Sequence, residues 1–148
     1  MQELHGYYFE DLSPGMTAVY AKTVTEADVV LFAGISGDVN PVHLNKEFAD
    51  RTMFRGRIAH GMLTASFIST VIGTKLPGPG CIYVSQNLKF KAPVRVGDTV
   101  NARVTVTSVD EVRGRIAVET TCTVGNVVVI AGEAVLLVPR RAPPQAAE

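Results

Sequence analysis

Gly61-Met62-Leu63-Thr64-Ala65-Ser66-Phe67-Ile68-Ser69-Thr70-Val71-Ile72 holds no charged residue and is apolar on almost every side. Gly73 follows, then the breaker Pro77-Gly78-Pro79-Gly80. A helix apolar all round belongs inside a protein, and one this short does not cross a bilayer. The stretch is therefore expected as a buried central helix that ends at Gly73.

Beyond Gly80 the apolar period changes to two. Ile82, Val84, Leu88 and Phe90 share one parity, as do Val100, Ala102, Val104 and Val106, and then Ile116, Val118, Cys122 and Val124. Each run predicts a strand with one face on the core, Gly125-Asn126 reads as a tight hairpin turn, and a last strand fills Val127 to Val138. With one more strand expected from Gly15 to Lys22, the pattern predicts an α+β layer in which an antiparallel sheet wraps the apolar helix. A chain of 148 residues suits a single domain, expected over residues 1–138, with the proline-rich tail 139–148 disordered.

Upstream, Thr25-Glu26-Ala27-Asp28 has an N-cap hydroxyl with an acidic side chain at N3, which opens a helix. Ala27, Val30, Leu31 and Gly34 give its apolar spacing, and Gly37 stops it. Pro41 keeps Asn40 out of helical geometry, so Asp38 to His43 is expected as an ordered loop, after which Asn45 caps a short helix through Phe48 and Ala49.

Lysine plus arginine and aspartate plus glutamate both total 14, which leaves no global field to hold nucleic acid or an anionic membrane surface. The opening MQELHGYYFEDL is acidic and lacks an apolar core, and the apolar stretch VVVIAGEAVLLV is short and carries Glu133, so neither a secretory signal nor a membrane span is read. Cys81 and Cys122 lie in alternating apolar segments and are expected as small buried thiols, in keeping with a cytoplasmic location.

The chemistry concentrates in Gly37-Asp38-Val39-Asn40-Pro41-Val42-His43-Leu44, where a carboxylate and an imidazole flank a rigid Asn-Pro turn. Such a pair can share one bound water, one group taking a proton from it while a proton is returned elsewhere. A surface loop with a capping Asp38 and a half-buried His43 would use the same residue types, and spacing alone does not decide between them. A metal held by Asp38, Asn40 and His43 is disfavoured, since the sequence shows no second histidine or carboxylate cluster to complete the shell. At Ala59-His60-Gly61-Met62 the apolar helix begins, and its free N–H groups and positive dipole end suit a carbonyl oxygen that gains charge. His60 reads as a structural, hydrogen-bonding histidine, and His5 and Glu133 as structural. Lys89, Lys91 and Arg95, with Arg55 and Arg57, could meet phosphates or form an ordinary solvated face.

From about Tyr20 to Val138 the chain resembles the MaoC-like family of hot-dog-fold (R)-specific enoyl-CoA hydratases, in particular its short single-domain members that feed polyhydroxyalkanoate synthesis. The marks are SGDVNPVHLN, RGRIAHGMLTASFIS, LPGPGCIYVSQNLKFKAPVRVGD and GEAVLLVP, in that order. The resemblance implies a hot-dog fold and syn hydration of a trans-2-enoyl-CoA to the (R)-3-hydroxyacyl-CoA. It implies Asp38 and His43 as the catalytic dyad, Asn40 as loop support, the Gly61 amide on the thioester oxygen, and Ser66, Ser69 and Ile72 near the acyl pocket. No metal or redox cofactor is implied; coenzyme A belongs to the substrate. A sheet wrapped on one helix leaves edges to cover, so a homodimer or an assembly of dimers is expected. A hot-dog thioesterase and a non-catalytic acyl-thioester binding module are the alternatives.

Overall fold

A computed structural model of the chain describes residues 2–141. Its strands are β1 (Thr17–Thr23), β2 (Ile82–Phe90), β3 (Thr99–Asp110), β4 (Arg115–Val124) and β5 (Val127–Leu137). The α-helices are α1 (Glu26–Ser36), α2 (Pro41–Leu44), α3 (Lys46–Asp50) and α4 (Gly61–Thr74). The sheet runs β1-β3-β4-β5-β2 with every neighbouring pair antiparallel, and α4 packs against β1, β3 and β4. This is the hot-dog arrangement, a curved antiparallel sheet around one helix.

The strict alternation of β3 and β4 makes that wrapping possible. Val100, Ala102, Val104 and Val106 join Ile116, Val118 and Cys122 in a single apolar cluster with Phe67, Ile68, Val71 and Ile72 of α4. Burying side chains of this size is worth about 1.5–3 kcal/mol each, so the helix is fixed by its surroundings rather than by its ends. Gly132 lets β5 meet β2, because a Cβ there would stand 1.9 Å from the Asn87 carbonyl oxygen.

Several elements depart from the sequence expectation. In α1 the capping box at Thr25 and the left-handed Gly37 are as expected, but the helix buries Val29 and Ala33 and leaves Val30 and Leu31 exposed. Apolar residues occur on both sides of α1, so periodicity alone could not say which side meets the protein. Pro41 begins the helical turn α2, with Asn40 as its N-cap, where a loop was expected. α4 continues through Gly73 to Thr74 and is open along Met62, Ser66 and Ser69. Ile82, Val84 and Phe90 of the edge strand β2 are exposed, at 58%, 42% and 55%, because β2 ends the sheet, although the start of α4 at Gly61 lies against the Phe90 ring.

At the start of the stretch expected as a disordered tail, the Pro139 carbonyl accepts the Phe9 N–H, Arg140 lies over the Phe9 ring, and Arg141 pairs with Asp11. The remainder of that tail, 142–148, lies outside the described residues. Among the described residues no helix is long and apolar enough to cross a membrane.

Candidate active site

Three local devices hold the Asp38 loop. Gly37 turns the chain out of α1 with φ 77°, the Asp38 Oδ1 accepts the Asn40 N–H at 3.2 Å, and the Asn40 Oδ1 accepts the Val42 N–H at 3.1 Å. Asn40 thus supports the loop by capping α2, which carries His43 inward. Arg57 fixes the far side, its Nε donating to the His43 carbonyl at 2.7 Å and its Nη2 to Glu26 of α1 at 2.6 Å.

His43 is buried, and its Nδ1 lies 2.8 Å from the Ile58 carbonyl oxygen. A carbonyl only accepts, so the proton of the neutral ring sits on Nδ1 and the Nε2 lone pair is free. That lone pair faces the Asp38 Oδ2 at 4.0 Å. The gap is too wide for a direct hydrogen bond, but a water about 2.8 Å from each atom closes the triangle. Asp38 is half exposed, so the space between the two groups is open to solvent on its side.

His60 completes the group. Only 1% exposed, it lies 3.8 Å from the His43 ring centre at an interplanar angle of 30°, and its Nε2 donates to the Asp38 main-chain carbonyl at 2.9 Å. The expectation of a hydrogen-bonded structural histidine fits, although its partner, 22 residues away, could not be read from the sequence. Its position directly before an uncapped apolar helix was the available signal.

Asp38, His43 and His60 therefore bring ligand-type atoms within 4.8 Å of one another, closer to a metal shell than residue counting suggested. The His60 Nε2–H is engaged by the Asp38 carbonyl, so of this group His60 would have only its Nδ1 to offer an ion.

Gly61 opens α4 with no side chain capping its first turn. A Cβ here would stand 2.8 Å from the Phe90 ring, so glycine keeps this helix start approachable. Next to it lies a cavity of about 410 Å³ walled by Ile58, Gly61, Thr64, Phe90, Val94 and Ile130, with Lys91 also on its lining. The dyad does not line the cavity, but Ile58, whose carbonyl holds His43, does.

The dyad, Asn40 and Gly61 thus form one neighbourhood. Ser66 and Ser69 lie instead on the open side of α4, whereas Ile72, 1% exposed, faces the core, so Ser69 and Ile72 do not share a face as their spacing suggests. Arg57 is committed to His43 and Glu26, and Arg95 donates to the Phe54 and Arg57 carbonyls, which leaves Lys89, Lys91 and Arg55 as the exposed cations of that group. Both cysteines are free; burial pushes the Cys122 thiol up to about 12 and raises Cys81 as well, so neither is poised as a nucleophile at neutral pH.

Residues 13–128 match the MaoC like domain. The chain belongs to the MaoC-like family. Within that family it is 58% identical over 135 residues to an (R)-specific enoyl-CoA hydratase of Rhodospirillum rubrum, covering 91% of this chain and 94% of the relative. It is 50% identical over 141 residues to a 3-hydroxybutyryl-CoA dehydratase of Methylorubrum extorquens, covering 95% and 90%. Among solved MaoC-like structures, the Aeromonas caviae (R)-hydratase involved in PHA biosynthesis superposes with a TM-score of 0.85 at 42% identity, covering 88% of this chain and 99% of that one.

Proposed function

We propose that this MaoC-like protein is a hydro-lyase that adds water to trans-2-enoyl-CoA, giving (R)-3-hydroxyacyl-CoA, and catalyses the reverse dehydration. The observation that carries the reading is the pair of acceptors, Asp38 Oδ2 and His43 Nε2, facing each other across 4.0 Å. A water between them gives one hydrogen to each and turns an oxygen lone pair toward C3 of the substrate. As the C3–O bond forms, Asp38 takes a water proton and the C2=C3 electrons move toward the thioester carbonyl. The Gly61 N–H, at the positive end of α4, stabilises that oxygen. A proton then returns to C2 from the same pair, with His43 holding the new hydroxyl in place. Both additions come from one side, so the hydration is syn. The (R) configuration rests on the relatives, since no contact in a single chain selects the alkene face.

The protein is further proposed to be a homodimer or an assembly of dimers. The exposed apolar residues of β2 and the open stripe of α4 are surfaces that a second copy would cover. The acyl tail would then run past Ser66 and Ser69 on the open side of α4. A cytoplasmic location agrees with two free cysteines. Supply of hydroxyacyl units to polyhydroxyalkanoate synthesis is the corresponding role, by analogy with the Aeromonas caviae enzyme.

Incubation with crotonyl-CoA tests the reading. Hydration removes the conjugated enoyl-thioester absorbance without releasing thiol, and chiral analysis then gives the (R) product. Released thiol would indicate a thioesterase, and unchanged substrate a binding module. Light scattering at assay concentration should give at least the mass of a dimer.

A further inference from the structure

His60 touches each part of the proposed site without belonging to the dyad. Its Nε2 donates to the Asp38 carbonyl at 2.9 Å, one face stacks on His43, Phe32 packs 4.9 Å away, and its main chain leads directly into Gly61. Because the Asp38 carbonyl only accepts, the neutral ring carries its proton on Nε2. His43 carries its own on Nδ1, toward Ile58. The two imidazoles, with ring centres 3.8 Å apart and planes tilted by 30°, thus each direct one N–H at a main-chain carbonyl, His60 through Nε2 and His43 through Nδ1. The His60 Nδ1 is buried and has no hydrogen-bond partner among the described residues, so the ring is positioned by one hydrogen bond and by its ring contacts with His43 and Phe32.

We propose that His60 is a positioning residue of the hydration site, fixing the Asp38 main chain through Nε2–H and the plane of the His43 ring through stacking. The proposal rests on the hydratase reading above. A side chain with no role beyond filling space would need neither the donor nor its tautomer. Loss of the donor should let the Asp38 loop move relative to His43 and widen the gap that the water bridges. That lowers turnover more than substrate binding, because the thioester is held at Gly61 and in the cavity beside it.

Two variants separate the contributions: His60→Gln retains a donor at a similar reach but no ring, and His60→Leu retains neither. With crotonyl-CoA, His60→Leu should lose about tenfold to hundredfold in kcat, the range for removing one buried hydrogen bond, with KM within about twofold. His60→Gln should recover most of that loss. Equal loss in both variants, tracking thermal stability with normal turnover of the folded fraction, would make His60 a packing residue and overturn the proposal. Imidazole nitrogen NMR of the wild-type protein needs no variant and no activity. With three histidines in the chain the rings are separable, and His60 must appear protonated on Nε2 and His43 on Nδ1. A His60 protonated on Nδ1 overturns the proposal on its own. Should wild-type protein leave crotonyl-CoA unchanged, the hydratase reading fails. The tether is then judged separately, by whether Asp38 to Asn40 amide signals shift in His60→Leu and return in His60→Gln.

Discussion

α4 begins and α1 ends near the Asp38–His43 pair, yet they are held by different forces. α4 buries Leu63, Thr64, Ala65, Phe67, Ile68, Val71 and Ile72 under the sheet and has no side-chain cap and no charged residue. α1 buries only Val29 and Ala33 and is fastened at its ends by the Thr25–Asp28 capping box, the Lys22–Asp28 and Arg57–Glu26 ion pairs, and Gly37. The proposed carbonyl-binding amide of Gly61 therefore stands on the core, whereas the carboxylate proposed to handle water, Asp38, hangs from a helix held at the surface. Stability and chemistry should be separable accordingly.

The sharpest contrast is expected at Ile72, the most deeply set residue of the last turn of α4 named in the site. Ile72→Ala should lower unfolding free energy by about 2–5 kcal/mol through lost burial and the cavity left behind, measured by urea titration. Crotonyl-CoA turnover of the folded fraction should stay near wild type. The same variant tests chain length: if Ile72 limits the acyl route, kcat/KM for hexenoyl- and octenoyl-CoA rises relative to crotonyl-CoA. An unchanged ratio would remove Ile72 from the site and leave it a core residue only.

At the other pole, Asp38→Asn and His43→Ala should each reduce kcat by at least about 10²-fold, equivalent to about 2.7 kcal/mol of transition-state stabilisation. Asp38 is half exposed and contributes nothing to the apolar cluster, so Asp38→Asn should unfold at nearly the wild-type urea midpoint. A large stability loss in that variant would show that the loop braces the fold and would break the contrast between the two helices.

The same contrast explains what the sequence made legible. β3, β4 and the extent of α4 were readable because burial is decided by one dominant period, with Val100 to Val106 and Ile116 to Cys122 each committing a single face. β2 misled because it has the same alternation but lies at the edge of the sheet, where Ile82 and Val84 stay exposed. The face of α1 was ambiguous since apolar residues lie all round it. Around the candidate site, the Asn40-Pro41 turn and the helix start at Gly61 were legible because turn chemistry and a helix start are local properties. His60 and Arg57 were not assigned their partners, because each works by bonding to a main-chain carbonyl distant in sequence, which no residue type announces.

The smallest expected effect probes the end-fastening of α1 directly. Thr25→Ala removes the acceptor of the Asp28 N–H, a bond of 3.2 Å, and should cost about 1 kcal/mol, as N-cap removals do. The Asp28 carboxylate returns the favour by accepting the Thr25 N–H at 2.8 Å and pairing with Lys22 at 3.0 Å. The Thr25 N–H holds the Asp28 carboxyl below its usual value of 3.8 against the opposing effect of burial, with the Lys22 ammonium and the Thr25 hydroxyl adding smaller lowering contributions. A carboxyl with a depressed folded-state value binds its proton more weakly in the native chain than in the unfolded one. Its contribution is therefore complete above the unfolded value near 3.8 and disappears as pH falls through the lower, folded value. Asp28→Asn should accordingly be less stable than wild type in urea at pH 7, and the gap should close on acidification below about pH 4, a window set by that usual carboxyl value. Core-held α4 has no ionisable side chain, so Ile72→Ala should show a gap to wild type that hardly varies over the same range. A gap for Asp28→Asn that stayed constant with pH would mean that the amide substitutes fully for the carboxylate and that α1 is held by its hydrogen bonds without help from charge.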